Sequence, residues 1–76
     1  MTRIHTHSIR LANGDEALVT RVVSGNGRIG YGFSVNLDAT ESRHMAEAEA
    51  GLRKQANRAI PPEIRAAIDS ISWEDQ

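Results

Sequence analysis

Cysteine is absent from the 76 residues. With it go a disulfide framework, a thiolate nucleophile and a cysteine-ligated zinc. Aromatic side chains are almost missing, and Tyr31, Phe33 and Trp73 are the whole set. No apolar run approaches the roughly 20 residues that a membrane-spanning helix needs. The opening residues, Met1-Thr-Arg-Ile-His, hold no apolar stretch of the secretory type. The expectation is a soluble, cytoplasmic protein. A basic stripe is lacking too: nine Lys and Arg face ten Asp and Glu, giving a formal net charge of −1. That balance argues against a nucleic-acid partner, which requires clustered cations. The length excludes a complete barrel enzyme and a complete dinucleotide-binding domain. It allows one small domain, 1–76, with a limited core.

What is present reads as three strands and two helices. Residues 3–11 include Ile4, Thr6, Ile9 and Leu11 and favour a strand. Asn13-Gly14 marks a turn, because both residue types tolerate positive φ. Residues 17–24 form the clearest strand, with Leu18, Thr20 and Val22 on one face and Val19, Arg21 and Val23 on the other. Gly25-Asn26-Gly27 marks a second turn. Residues 28–35 alternate again: Ile29, Tyr31, Phe33 and Val35 share one face, and Gly30, Gly32 and Ser34 the other. A strand with one nearly bare face suits the close approach of another backbone.

The pattern changes at Asn36-Leu37-Asp38. Asp38 with Glu41 three positions later reads as a capping box, and Thr40 is a competing cap. A long helix is expected over about 39–59, with Met45, Ala48, Leu52, Ala56 and Ala59 as its apolar stripe. Gly51 falls inside that stretch, at a cost of about 1 kcal/mol relative to Ala. Pro61-Pro62 stops this helix and starts a second over about 62–72, whose face is Ile64, Ala67 or Ile68, and Ile71. The expected fold class is α+β, a three-stranded antiparallel meander (about 3–35) followed by one long and one short helix. One sheet face is expected to receive the long helix. The other is expected to lie open, and with two sheet edges this points to a partner.

Four constellations were weighed for chemistry. His5 and His7 share a strand face and are weak metal-ligand candidates, with His44 as a distant third, but surface histidines explain them better. Gly25-Asn26-Gly27-Arg28-Ile29-Gly30 matches GxGxxG formally, yet its glycines join two strands instead of opening a helix. Lys54, the only lysine, lies in a helical stretch, so a kinase-type phosphate loop does not fit either. Glu41, Glu47 and Glu49, with Arg43, Arg53 and Lys54, read as a solvated helix face. The serines occur in no activating context. No catalytic residue is assigned.

The stretch Ala17-Leu-Val-Thr-Arg-Val-Val-Ser-Gly-Asn-Gly-Arg-Ile-Gly-Tyr-Gly-Phe-Ser resembles part of the amino-terminal capping domain of the enolase superfamily, in the mandelate racemase and muconate lactonising branch. The likeness covers roughly residues 3–52. It begins with the strand Arg3-Ile4-His5 and continues through Val19-Thr20-Arg21-Val22. It is sharpest from Gly27 to Gly32 and ends in a helix opened by Thr40-Glu41. The resemblance implies the fold order β-β-β-α and a non-catalytic capping role over a separate (β/α)-barrel. The magnesium-binding carboxylates and general bases belong to that barrel, so no cofactor is implied within this chain. The loop after the first strand, long in that family, is here only about Ala12–Asp15.

Two functions follow as expectations. The first is a cap or small subunit that completes a larger barrel protein, with Ile29, Gly30, Tyr31, Gly32 and Phe33 at the partner interface. The alternative is a stand-alone domain that associates with itself as a homo-oligomer around an unknown ligand. On the first reading, Gly30→Val weakens partner capture in a pull-down.

Overall fold

A computed structural model of the chain describes residues 1–54 and 59–73. Strands β1 (Arg3–Arg10), β2 (Glu16–Val23) and β3 (Ile29–Ser34) form one antiparallel sheet in the order β1-β2-β3. Helices α1 (Ala39–Glu49) and α2 (Pro62–Ser70) follow. The fold class is therefore α+β, a three-stranded meander succeeded by two helices.

Both hairpins close by the same device. In the first, the Leu11 amide donates to the Asp15 carbonyl at 2.7 Å and the Gly14 amide to the Leu11 carbonyl at 3.0 Å. In the second, the Ser24 amide donates to the Arg28 carbonyl at 2.8 Å and the Gly27 amide to the Ser24 carbonyl at 3.0 Å. Only the last residue of each loop takes positive φ, Gly14 at 93° and Gly27 at 88°. This is a tight turn completed by one left-handed residue. Asn13 and Asn26 therefore do not use the positive φ that the sequence pattern suggested. They act through their side chains, whose Oδ1 atoms accept from the Asp15 and Arg28 amides.

These turns fix the register. Leu18, Thr20 and Val22 lie opposite Ser34, Gly32 and Gly30, with Ser8, Thr6 and Ile4 on the far side. α1 covers this face. A Cβ added at Gly30 would overlap the Ala46 carbonyl and the Ala50 amide, and one added at Gly32 would overlap the Ser42 carbonyl. The second backbone for which the bare strand face leaves room is thus the chain's own helix. α1 meets the glycines with its smallest residues, the buried Ser42, Ala46 and Ala50. Hydroxyls tie the layers together. Thr6 Oγ1 lies 3.2 Å from Thr20 Oγ1, Thr20 Oγ1 lies 2.7 Å from Ser42 Oγ, and Ser42 donates to the Leu18 carbonyl. The buried hydroxyls of Thr20 and Ser42 are satisfied in this way.

The long-helix expectation is corrected. α1 ends at Glu49, and Gly51, at φ 82°, terminates it instead of sitting inside it. The Gly51 amide donates to the Ala48 carbonyl and the Leu52 amide to the Glu47 carbonyl, the paired bonds of a Schellman stop. Of the expected stripe, Met45 and Ala48 are buried and Leu52 is exposed; Ser42, Ala46 and Ala50 are buried as well. A glycine-lined sheet admits serine and alanine closely, so hydrophobicity alone did not mark the positions of nearest contact. Ala56 lies outside the described residues, and Ala59 lies outside any helix. At the other end Asp38 is the cap, accepting from the Thr40 and Glu41 amides at 3.0 and 3.1 Å.

The expectation of an uncovered second face is corrected too. Ile64 and Ile68 of α2, with Trp73, pack with Val19, Phe33 and Met45 in the main apolar cluster, and Tyr31, Ile9 and Ile71 pack around it. The Trp73 indole donates to the Ile68 carbonyl at 3.1 Å, which holds the ring over the sheet. The short second helix has the larger apolar residues because its sheet face carries real side chains.

Two substitutions test this account by chemical denaturation. Gly32→Ala is expected to destabilise the protein by about 1–3 kcal/mol, the usual cost of overpacking a tight contact. Gly51→Ala is expected to cost about 1 kcal/mol, since alanine resists the left-handed conformation. A glycine inside a helix would give the opposite sign, a gain on replacement by alanine.

Candidate functional site

Two irregular segments meet at one end of the sheet. The β1–β2 turn, Ala12–Asp15, and the segment Val35–Asp38 between β3 and α1 both emerge there, since Arg10 pairs with Glu16 and Leu18 with Ser34. The Glu63 carboxylate, in the first turn of α2, accepts from the Ala12 amide and ties this helix to the same end. The Asp38 amide donates to Ser34 Oγ at 3.3 Å. Between these anchors, Val35 and Leu37 remain 40% and 47% exposed. Leu37 has φ 60°, and it is the one non-glycine residue at positive φ among those described. A leucine in that conformation costs about 1–2 kcal/mol. Such strain persists only where the surroundings enforce it, and it concentrates at binding and switching sites. Sequence reasoning passed over Leu37. The one available signal was an apolar residue placed directly before a helix cap.

The residues singled out from the sequence are scattered. His5 and His7 do share a face of β1, but His7 packs edge-on against Trp73, with ring centroids 5.0 Å apart. His7 Nε2 is buried and has no hydrogen-bond partner among the described residues. His44 belongs to α1, which covers the opposite sheet face. Among the described residues, no three His, Cys, Asp or Glu side chains converge to hold a metal. The glycines of Gly25–Gly30 divide between a hairpin turn and the α1 contact. Of the helix charges, Glu47 accepts from Arg53 at 2.8 Å and Glu49 accepts the Tyr31 amide at 2.9 Å.

The expected partner residues are also redistributed. Gly30 and Gly32 are buried under α1, and Phe33 is buried in the main cluster. Tyr31 is half-buried, 6.1 Å from the Trp73 ring centroid and with the Arg65 guanidinium 5.6 Å from its own. Ile29 alone of the five stays exposed. Gly30→Val therefore acts on the fold before it acts on any partner. No family model, curated protein or solved structure matches the chain. No helix among the described residues is long and apolar enough to cross a membrane.

Trp73 joins His7, Tyr31 and the α2 isoleucines, so its removal opens the second face. Trp73→Ala is expected to cost about 3–5 kcal/mol. Whole domains of this size hold about 0.05–0.15 kcal/mol per residue. Near-ultraviolet dichroism and a urea titration should therefore show a variant at or past the edge of folding.

Proposed function

We propose that this chain is a non-catalytic binding module, a cap or small subunit that completes the active site of a larger (β/α)-barrel protein. The resemblance of residues 3–52 to the enolase-superfamily capping domain suggests the role. The observation that carries it is the exposed, conformationally forced Leu37 beside Val35. A solvent-facing leucine held at positive φ costs stability and contributes nothing to the core, which is what a contact residue for another surface looks like. In the capping role, the Ala12–Asp15 turn and the Val35–Asp38 segment face the partner together. With so short a first loop, contact there falls mainly to Val35 and Leu37. The chemistry, and any magnesium, then reside in the partner.

A tagged pull-down from the native cell at near-native expression tests the proposal. The expected result is stoichiometric recovery of one protein of about 250 residues or more, the size of a barrel. Leu37→Gly separates contact from folding. Glycine removes the positive-φ penalty, so the melting temperature should hold or rise slightly. Losing a leucine that the partner would cover should still weaken capture by about tenfold or more. Equal capture by the variant, or recovery of the 76-residue chain alone, would overturn the reading.

A further inference from the structure

The two sheet edges are treated differently. On β3 the Tyr31 amide faces outward and is taken by the Glu49 carboxylate at 2.9 Å, so a helix side chain closes that edge. On β1 no comparable bond occurs among the described residues. The Leu11 amide pairs with Asp15 across the hairpin. By alternation His5, His7 and Ile9 also point their backbone groups at β2. The amides and carbonyls of Ile4, Thr6, Ser8 and Arg10 therefore face away from the sheet. None of them has a backbone or side-chain partner among the described residues. An eight-residue strand is left as an open template.

The formal charges beside this edge, on Arg3 and Arg21, are of one sign, and the imidazoles of His5 and His7 lie among them. Arg3, His5 and His7 alternate along one face of β1, and Arg21 of β2 stands directly opposite His5. No Asp or Glu occupies that face of any of the three strands. Two nitrogens there, His7 Nε2 and Arg21 Nε, are buried without an acceptor among the described residues. Arg10, by contrast, is already met by Glu16 at 3.5 Å on the other face. That other face is apolar at the Arg3 end, where Ile4 is 42% exposed.

We infer that β1 accepts an extended acidic segment of another protein as a fourth strand, with carboxylates at alternate positions. Backbone hydrogen bonds to Ile4, Thr6, Ser8 and Arg10 supply affinity, as in other strand additions. Carboxylates flanking the His5 position meet the exposed Arg3 guanidinium and the part-exposed His5 imidazole, with Arg21 behind them, and supply selectivity. The intervening residues lie beside Ile4 and are apolar or β-branched. A second copy of this chain fits less well, because its own Arg3 would come to the same face and no carboxylate of β1 would meet it. This site is separate from the Val35–Leu37 surface and stands or falls independently of the capping role.

The test is amide exchange by NMR on the full chain, with a capped peptide alternating glutamate and valine as the probe. Slowed exchange at Ile4, Thr6, Ser8 and Arg10 is expected, with His5 and His7 little changed because β2 already protects them. A peptide alternating lysine and valine should give no protection. Ser8→Pro removes one outward amide without touching the β1–β2 ladder, and it should abolish peptide binding while the fold persists. Arg3→Glu leaves every backbone bond in place and should weaken binding by about tenfold. The inference is overturned by any of three results: no protection from the glutamate peptide, equal protection from the lysine peptide, or peptide-free protection that grows with protein concentration.

Discussion

The distance between α1 and the sheet governs the rest of the structure. Gly30 and Gly32 remove two side chains from the middle of β3, and Ser42, Ala46 and Ala50 remove the bulk that would oppose them. Helix backbone then lies almost against strand backbone. Val22, Ala46 and Ala50 form a compact buried apolar cluster there, and close dispersion contacts and the Thr6–Thr20–Ser42 hydroxyl chain add to it. A layer this thin also leaves no volume for an interior cleft on that side. Side chains that do chemistry have nowhere to converge beneath α1.

The opposite face carries the larger apolar cluster. Val19 and Phe33 point there because the register that places glycine under α1 also sends every odd-numbered β2 and β3 side chain the other way. α2 and Trp73 close over them. Two isoleucines of a short helix and one indole thus complete the main apolar cluster with Val19, Phe33 and Met45. Both faces being occupied, the two proposed contact surfaces lie at an end of the sheet and along its β1 edge. At the centre of β3, where the alternation of glycine and aromatic residues first suggested a contact surface, Gly30, Gly32 and Phe33 are buried within the chain itself.

The legibility of each feature follows from the range of the forces behind it. The three strands, the two turns and the Asp38 cap could be read directly, because alternation, Asn-Gly pairs and capping geometry act within a few residues. The extent of α1 could not. An unbroken run of good helix formers around Gly51 looks the same whether the glycine is tolerated or terminates the helix, and its positive φ appears only in three dimensions. Leu37 was hidden for a related reason, since no local pattern announces a leucine forced into the left-handed region. The His5–His7 pair was visible as a pair, but its contact with Trp73 joins positions far apart in the chain.

The sequence by itself determined the order of elements, the faces of each strand and the exclusion of cysteine chemistry. All of these depend on residue type and near neighbours. Only the tertiary structure decided which helix lies on which face, where α1 stops, and which edge of the sheet is met by a helix side chain. Those outcomes depend on how closely two backbones can approach, and that is set jointly by glycines on one element and small residues on another. Neither set carries a signal of its own until the two are brought together.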